Sequence, residues 1–147
     1  MSDGDTPAAA GRPEPGEAVC GIVVGHGDLA AGLVSAVAQI TGRGAAFLPL
    51  SNRGMGGEQL EEVLRDALAR TGARLVLTDL PGGSWTIAAR RVQRADPSLV
   101  VVTGVSLPVL LDCVYREEAS SLDAVRGAVE KGRGAMTVAG GERAHGH

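Results

Sequence analysis

The stretch Cys20-Gly21-Ile22-Val23-Val24-Gly25-His26-Gly27-Asp28-Leu29 decides how the chain folds. Cys20 to Val24 form an apolar run of strand length, and the next apolar residues, Leu29, Leu33, Val34, Val37 and Ile40, recur at helical spacing. A strand, a tight turn and a helix place His26, held between two glycines, at the carboxyl edge of a parallel sheet. In open α/β sheets that edge is where ligands and chemistry collect.

The pattern repeats outward from there. Gly42 and Gly44 break the first helix, and Ala45 to Leu50 are predicted as a second strand. The loop Ser51 to Gly57 leads into a periodic helix carrying Leu60, Val63, Leu64 and Leu68, closed by Gly72. Leu75, Val76 and Leu77 make a third strand, which runs into Thr78-Asp79-Leu80-Pro81-Gly82-Gly83-Ser84 and a third helix to about Arg94. Asp96-Pro97 turns the chain into a fourth strand, Leu99 to Thr103, and Pro108 suits the first residue of a short helix. A last helix, Ser121 to Lys131, leads through Gly132 and Gly134 to a short apolar piece, Ala135 to Val138. Four β-α units with right-handed crossovers predict an α/β fold, a doubly wound, mainly parallel open sheet covered on both faces. Met1 to Glu17, rich in Ala, Gly, Pro, Asp and Glu without periodicity, is expected to be a flexible tail, as are residues 139–147; the domain is expected over 18–138.

Composition narrows the function classes. With 147 residues and 44% hydrophobic content, the chain supports one sizeable core, so one domain is expected. Aromatic residues make up only 2%, which argues against base-stacking platforms and for a core of Val, Leu, Ile and Ala. A formal net charge of -3 offers no basic excess for nucleic acid. No apolar run approaches the roughly 20 residues of a membrane span, and no basic start followed by an apolar stretch marks a signal peptide. A soluble, cytoplasmic protein is expected, with Cys20 and Cys113 as buried free thiols.

Asp79 follows its strand as His26 follows the first, so the two side chains meet if those strands are neighbours. A carboxylate accepting a hydrogen bond from one imidazole nitrogen fixes the tautomer and leaves the other nitrogen nucleophilic. Gly82 and Gly83 allow close backbone approach, Ser84 is expected to cap the following helix, and the free N–H groups of that helix start seat an anion such as phosphate. The bland alternatives are a turn histidine, an aspartate capping a turn and a plain strand-to-helix connection. The glycines match neither a Walker loop nor a dinucleotide fingerprint. His145 and His147, without nearby thiols or carboxylates, fall short of a metal-ligand pattern, and no metal is expected. Arg90, Arg91 and Arg94 fit a solvated helix face, Arg53 an exposed loop, and Trp85 either core or an exposed partner contact.

Four motifs in order, Gly25-His26-Gly27, Thr78-Asp79-Leu80 with Gly82-Gly83-Ser84, Thr103-Gly104-Val105-Ser106-Leu107-Pro108 and Gly132-Arg133-Gly134, resemble the enzyme IIA components of the bacterial phosphotransferase system, mannose/fructose/sorbose class. The resemblance runs from about Ala18 to Val138. It implies that His26 takes a phosphoryl group from the histidine phosphocarrier protein and passes it to an enzyme IIB component for sugar uptake. It further implies Asp79 as orienting acid, Ser84 with nearby amides as phosphate contacts, and a homodimer exchanging a carboxyl-terminal strand, for which Ala135 to Val138 is the candidate. Transfer between two histidines is largely positioning and charge stabilisation, so no cofactor is expected. The chain departs from the family where Trp85-Thr86-Ile87 replaces Pro-Phe-Asn and where Pro81 replaces a bulky apolar residue. A regulatory phosphoprotein of an incomplete phosphotransferase system, the phosphoryl-donor subunit of a dihydroxyacetone kinase, and a non-covalent anion-binding module are the other readings.

Overall fold

The computed structural model describes residues 18–116 and 121–142. The expected tail 1–17 and the end of the other, 143–147, lie outside the described residues. The apolar runs form β1 (Gly21–Gly25), β2 (Phe47–Ser51), β3 (Leu75–Thr78) and β4 (Val100–Thr103). The periodic segments form α1 (Leu29–Thr41), α2 (Gly57–Thr71), α3 (Ser84–Ala95), α4 (Leu107–Tyr115) and α5 (Leu122–Ala135). All pairings are parallel, in the order β2-β1-β3-β4. The doubly wound α/β fold read from the sequence is therefore present.

Side-chain alternation along the strands builds a separate core on each face. Ile22, Val24 and Val76 pack with Leu60 and Leu64 of α2 and with Trp85 and Val92 of α3. On the other face Val23, Leu75 and Leu77 pack with Val34 and Val37 of α1, Leu110 of α4 and Val125 of α5. Central β1 is buried along its whole length, because both faces are covered. Edge strand β4 is only half-buried.

Two boundaries differ from the sequence reading for physical reasons. Gly44–Ala46 form a 3-10 turn, so β2 begins at Phe47, whose ring is fully buried. The last helix does not stop at Lys131: α5 passes through Gly132 and Gly134 to Ala135, so Ala135 belongs to the helix rather than to a strand. Gly132 is there for close approach, since a Cβ at that position would collide with Val109 of α4. Among the described residues, 136–142 have no strand partner, and Met136 and Val138 are exposed.

The strand order creates the site. β1 and β3 are adjacent, yet α1 and α3, which follow them, pack on opposite faces. The chain thus opens a crevice above the carboxyl ends of these two strands, the place where ligands bind in doubly wound sheets.

Candidate functional site

His26 is the first residue beyond β1, and Asp79 the first beyond β3. Val24 pairs with Thr78, so Asp79 lies level with Gly25 and one step short of His26. That offset lets one carboxylate meet both the backbone and the side chain of the histidine. Asp79 Oδ2 accepts from the His26 backbone N–H at 2.9 Å and lies 2.7 Å from ring Nδ1. The Asp79 side chain is 7% exposed and that of His26 46%, so the acid is enclosed while the ring reaches solvent.

Burial pushes the Asp79 carboxyl up, but hydrogen bonds from the ring and backbone of His26, and the charge His26 can carry, outweigh burial and hold it below the ordinary aspartate range. Asp79 is then ionised at neutral pH. An ionised carboxylate only accepts, so Nδ1 is the donor of this contact, and in the neutral ring that leaves the lone pair on Nε2. The geometry supplies a half-exposed imidazole with a counter-charge behind it.

The third part comes from the turn into α3. Gly83, not Ser84, occupies the N-cap position, which corrects the expected capping role of Ser84; Ser84 is the first helical residue. Gly83 has φ +96°, a backbone conformation that a side chain would strain, and its position for a Cβ lies 3.8 Å from His26 Cε1. The first helical bond runs from Ile87 N–H to the Gly83 carbonyl at 3.0 Å, and no side chain caps the helix. The amides of Ser84, Trp85 and Thr86 precede that bond, and they start a helix beside the imidazole. Gly82 meets nothing within 4 Å, so only Gly83 makes the close approach expected of the pair.

Contacts not anticipated from the sequence brace this arrangement. Trp85, fully buried, donates from Nε1 to the Gly25 carbonyl at 3.1 Å, which settles it as core and ties α3 to the end of β1. Thr86 Oγ1 donates to the Leu80 carbonyl at 2.6 Å and lies 2.6 Å from Thr78 Oγ1, fixing the turn that carries Asp79. A threonine on the apolar face of α3 was the one visible signal of that bond. Gly27 N–H donates to Asn52 Oδ1 at 3.2 Å, and Arg53 pairs with Asp28 at 3.1 Å while both stay exposed. Among the described residues no group of three His, Cys, Asp or Glu could hold a metal ion.

With this geometry in place, the family model described as "PTS system fructose IIA component" matches residues 21–130. The chain belongs to that family. Solved structures agree with the IIA fold. The mannose/sorbose-specific IIA subunit from Enterococcus faecalis superposes with TM-score 0.72 at 21% identity, covering 86% of this chain and 98% of its own. Component EIIA from Streptococcus agalactiae gives TM-score 0.71 at 20% identity, covering 82% and 96%. A sigma-54 interaction domain protein from Enterococcus faecalis gives 0.64 at 17% identity, covering 80% and 92%. No curated protein matches the IIA chain. Among its described residues no helix is long and apolar enough to cross a membrane. Membership of the family supports a phosphocarrier role.

Proposed function

We propose that this IIA chain accepts a phosphoryl group at Nε2 of His26 from the histidine phosphocarrier protein and passes it to an enzyme IIB component, as a cytoplasmic step of sugar uptake. The observation that carries this reading is the 2.7 Å contact between Asp79 and Nδ1 of a half-exposed histidine. In the step, the N–P bond of the donor breaks, the Nε2–P bond forms, and the donor nitrogen leaves with the electron pair. The ring keeps its Nδ1 proton and so gains positive charge, which the Asp79 carboxylate offsets without moving. The incoming phosphoryl oxygens are seated by amides at the start of α3, with Gly82, Gly83 and Ser84 lining the seat.

The test is intact-mass spectrometry at neutral pH after incubation with phosphoenolpyruvate, enzyme I and the histidine phosphocarrier. One acid-labile phosphoryl group on the parent chain and none on His26→Ala is expected. No gain on the parent, with the same donors active on another IIA protein, would overturn the reading.

On this reading the domain spans 18–138 and functions as a homodimer. The open edge of β4 borders a groove of about 600 Å³ shared with α5, lined by Val100, Val102, Val125 and Val129. An extended segment just after α5 from a second copy fits that edge, with Met136 to Val138 as the strand. Truncation after Ala135 should halve the mass seen by light scattering. The likeness to a sigma-54 interaction domain protein favours one second reading, in which the state of His26 is sensed rather than passed on. Efficient transfer to a IIB component would exclude it.

A further inference from the structure

The loop after β2 reaches the same sheet edge as His26 and brings a cation that the proposed transfer leaves unused. Gly25 pairs with Ser51 in the β1–β2 register, so Asn52 and Arg53 follow their strand as His26 and Gly27 follow theirs. Three hydrogen bonds hold the loop backbone in place. Gly27 N–H donates to Asn52 Oδ1 at 3.2 Å, Arg53 N–H to Ser51 Oγ at 3.2 Å, and Met55 N–H closes the turn on the Asn52 carbonyl at 3.1 Å. Met55 also packs against the core shared by α2 and α3. From this anchored backbone the Arg53 side chain reaches the residue that follows the histidine: a Cβ placed on Gly27 would sit 3.8 Å from Nη2.

Arg53 Nη1 pairs with Asp28 Oδ1 at 3.1 Å, and the two side chains are 66% and 82% exposed. An ion pair so open to water holds its members only weakly. Asp28 occupies the N-cap position of α1, yet among the described residues its side chain makes no capping bond. Its carboxylate is therefore left to Arg53, which it keeps at the rim of the site without committing it. A planar guanidinium takes two oxygens of a phosphoryl group at once, and that group carries roughly two negative charges against the one on Asp28.

We infer that Arg53 is a catalytic residue that leaves Asp28 and binds the phosphoryl group as it arrives on His26. The inference rests on the reading of His26 as phosphoryl acceptor. In the transfer the donor N–P bond breaks, its electron pair stays on the donor nitrogen, and the Nε2 lone pair forms the new bond to phosphorus. The guanidinium gives up no proton; it exchanges one carboxylate for phosphoryl oxygens. Asp79 then offsets the charge gained by the ring, and Arg53 the charge on the phosphoryl group. Asp28, already in water, loses little when its partner moves.

The test times phosphoryl uptake by the full chain, from the phosphorylated histidine phosphocarrier and from phosphoramidate, a donor too small to need a docking surface. The variants are Arg53→Gln, Arg53→Lys, Asp28→Asn and the double Arg53→Gln/Asp28→Asn. Arg53→Gln should slow uptake from both donors roughly tenfold or more, and Arg53→Lys by less, because an ammonium restores the charge without the fork. Asp28→Asn should quicken uptake about twofold or more, since it frees the guanidinium and removes a like charge from the path of the phosphoryl group. The double variant should be as slow as Arg53→Gln. An ion pair that serves only structure gives another pattern, equal slowing in Arg53→Gln and Asp28→Asn with no further slowing in the double, and that pattern would overturn the inference. Parent-like uptake by Arg53→Gln would overturn it too, as would slowing confined to the protein donor, which would assign Arg53 to protein contact. A parent chain that takes no phosphoryl group from the phosphocarrier, with the same donor active on another IIA protein, would overturn the proposed function, and this inference with it.

Discussion

A single oxygen of Asp79, Oδ2, binds His26 twice, through the backbone N–H at 2.9 Å and ring Nδ1 at 2.7 Å. The residue that orients the ring therefore also fixes the peptide from which the ring hangs. Asp79→Asn retains an acceptor oxygen but loses the charge that offsets a phosphorylated ring. Phosphorylation of His26 is expected to slow by roughly a hundredfold or more, read from mass-resolved time courses. Parent-like kinetics would remove the acid from the mechanism.

The same pair makes stability depend on acid pH. Because the folded carboxyl titrates below the ordinary aspartate range, its contribution is complete above that range and is lost as pH falls through the lower folded value. Denaturation of the parent and of Asp79→Asn across an acid series should show a stability gap that is constant near neutrality and closes toward strong acid. A gap that widens on acidification would contradict the assignment.

Trp85→Phe removes the buried N–H that satisfies the Gly25 carbonyl while keeping most of the apolar bulk. A loss of about 1–3 kcal/mol in unfolding free energy is expected. Slower phosphorylation should accompany it, since Gly25 precedes His26. Denaturant midpoints and uptake rates, measured on one preparation, check both.

For Gly83→Ala, space is not the obstacle, because the added carbon would sit 3.8 Å from His26 Cε1. The obstacle is φ +96°, and forcing it on alanine should lower stability by roughly 1–2 kcal/mol. Thermal denaturation reads the loss. A neutral result would mean that the turn relaxes at little cost.

Burial pushes the Cys113 thiol up to about 11 and raises that of Cys20, an effect that Arg43 partly opposes. Little thiolate is then present at pH 8, and the native chain should alkylate slowly with iodoacetamide. Unfolding in denaturant should release both thiols to rapid modification. Fast labelling of Cys113 in the native state would contradict its burial.

Much of this architecture could be read from local pattern. Ile22-Val23-Val24 and Leu75-Val76-Leu77 are too apolar for anything but covered strands, and helical spacing resumes directly after His26 and Ser84. The meeting of His26 with Asp79 followed once their strands were treated as neighbours, a matter of topology that simple crossover rules constrain. What escaped depended on distant partners. Gly132 looks like a helix breaker until Val109 lies against it, and the indole of Trp85 reveals its purpose only when the Gly25 carbonyl is beneath it. The N-cap fell to Gly83 rather than Ser84 because a positive φ, invisible in composition, turns the chain there. Arg90, Arg91 and Arg94 fit a solvated face in sequence, and all three are exposed on α3 in the fold.

The two-sided packing of β1 and β3 has a kinetic consequence. Each is flanked by hydrogen-bonded strands on both edges and roofed by a separate core on each face, whereas β2 is paired on one edge only among the described residues. Local opening should therefore release the amides of β2 to deuterium before those of Val23 or Leu77. His26 and Asp79 stand at the ends of the two slowest-exchanging strands. Fluctuations that let the periphery adapt to one visitor after another leave the spacing of ring and carboxylate unchanged between visits.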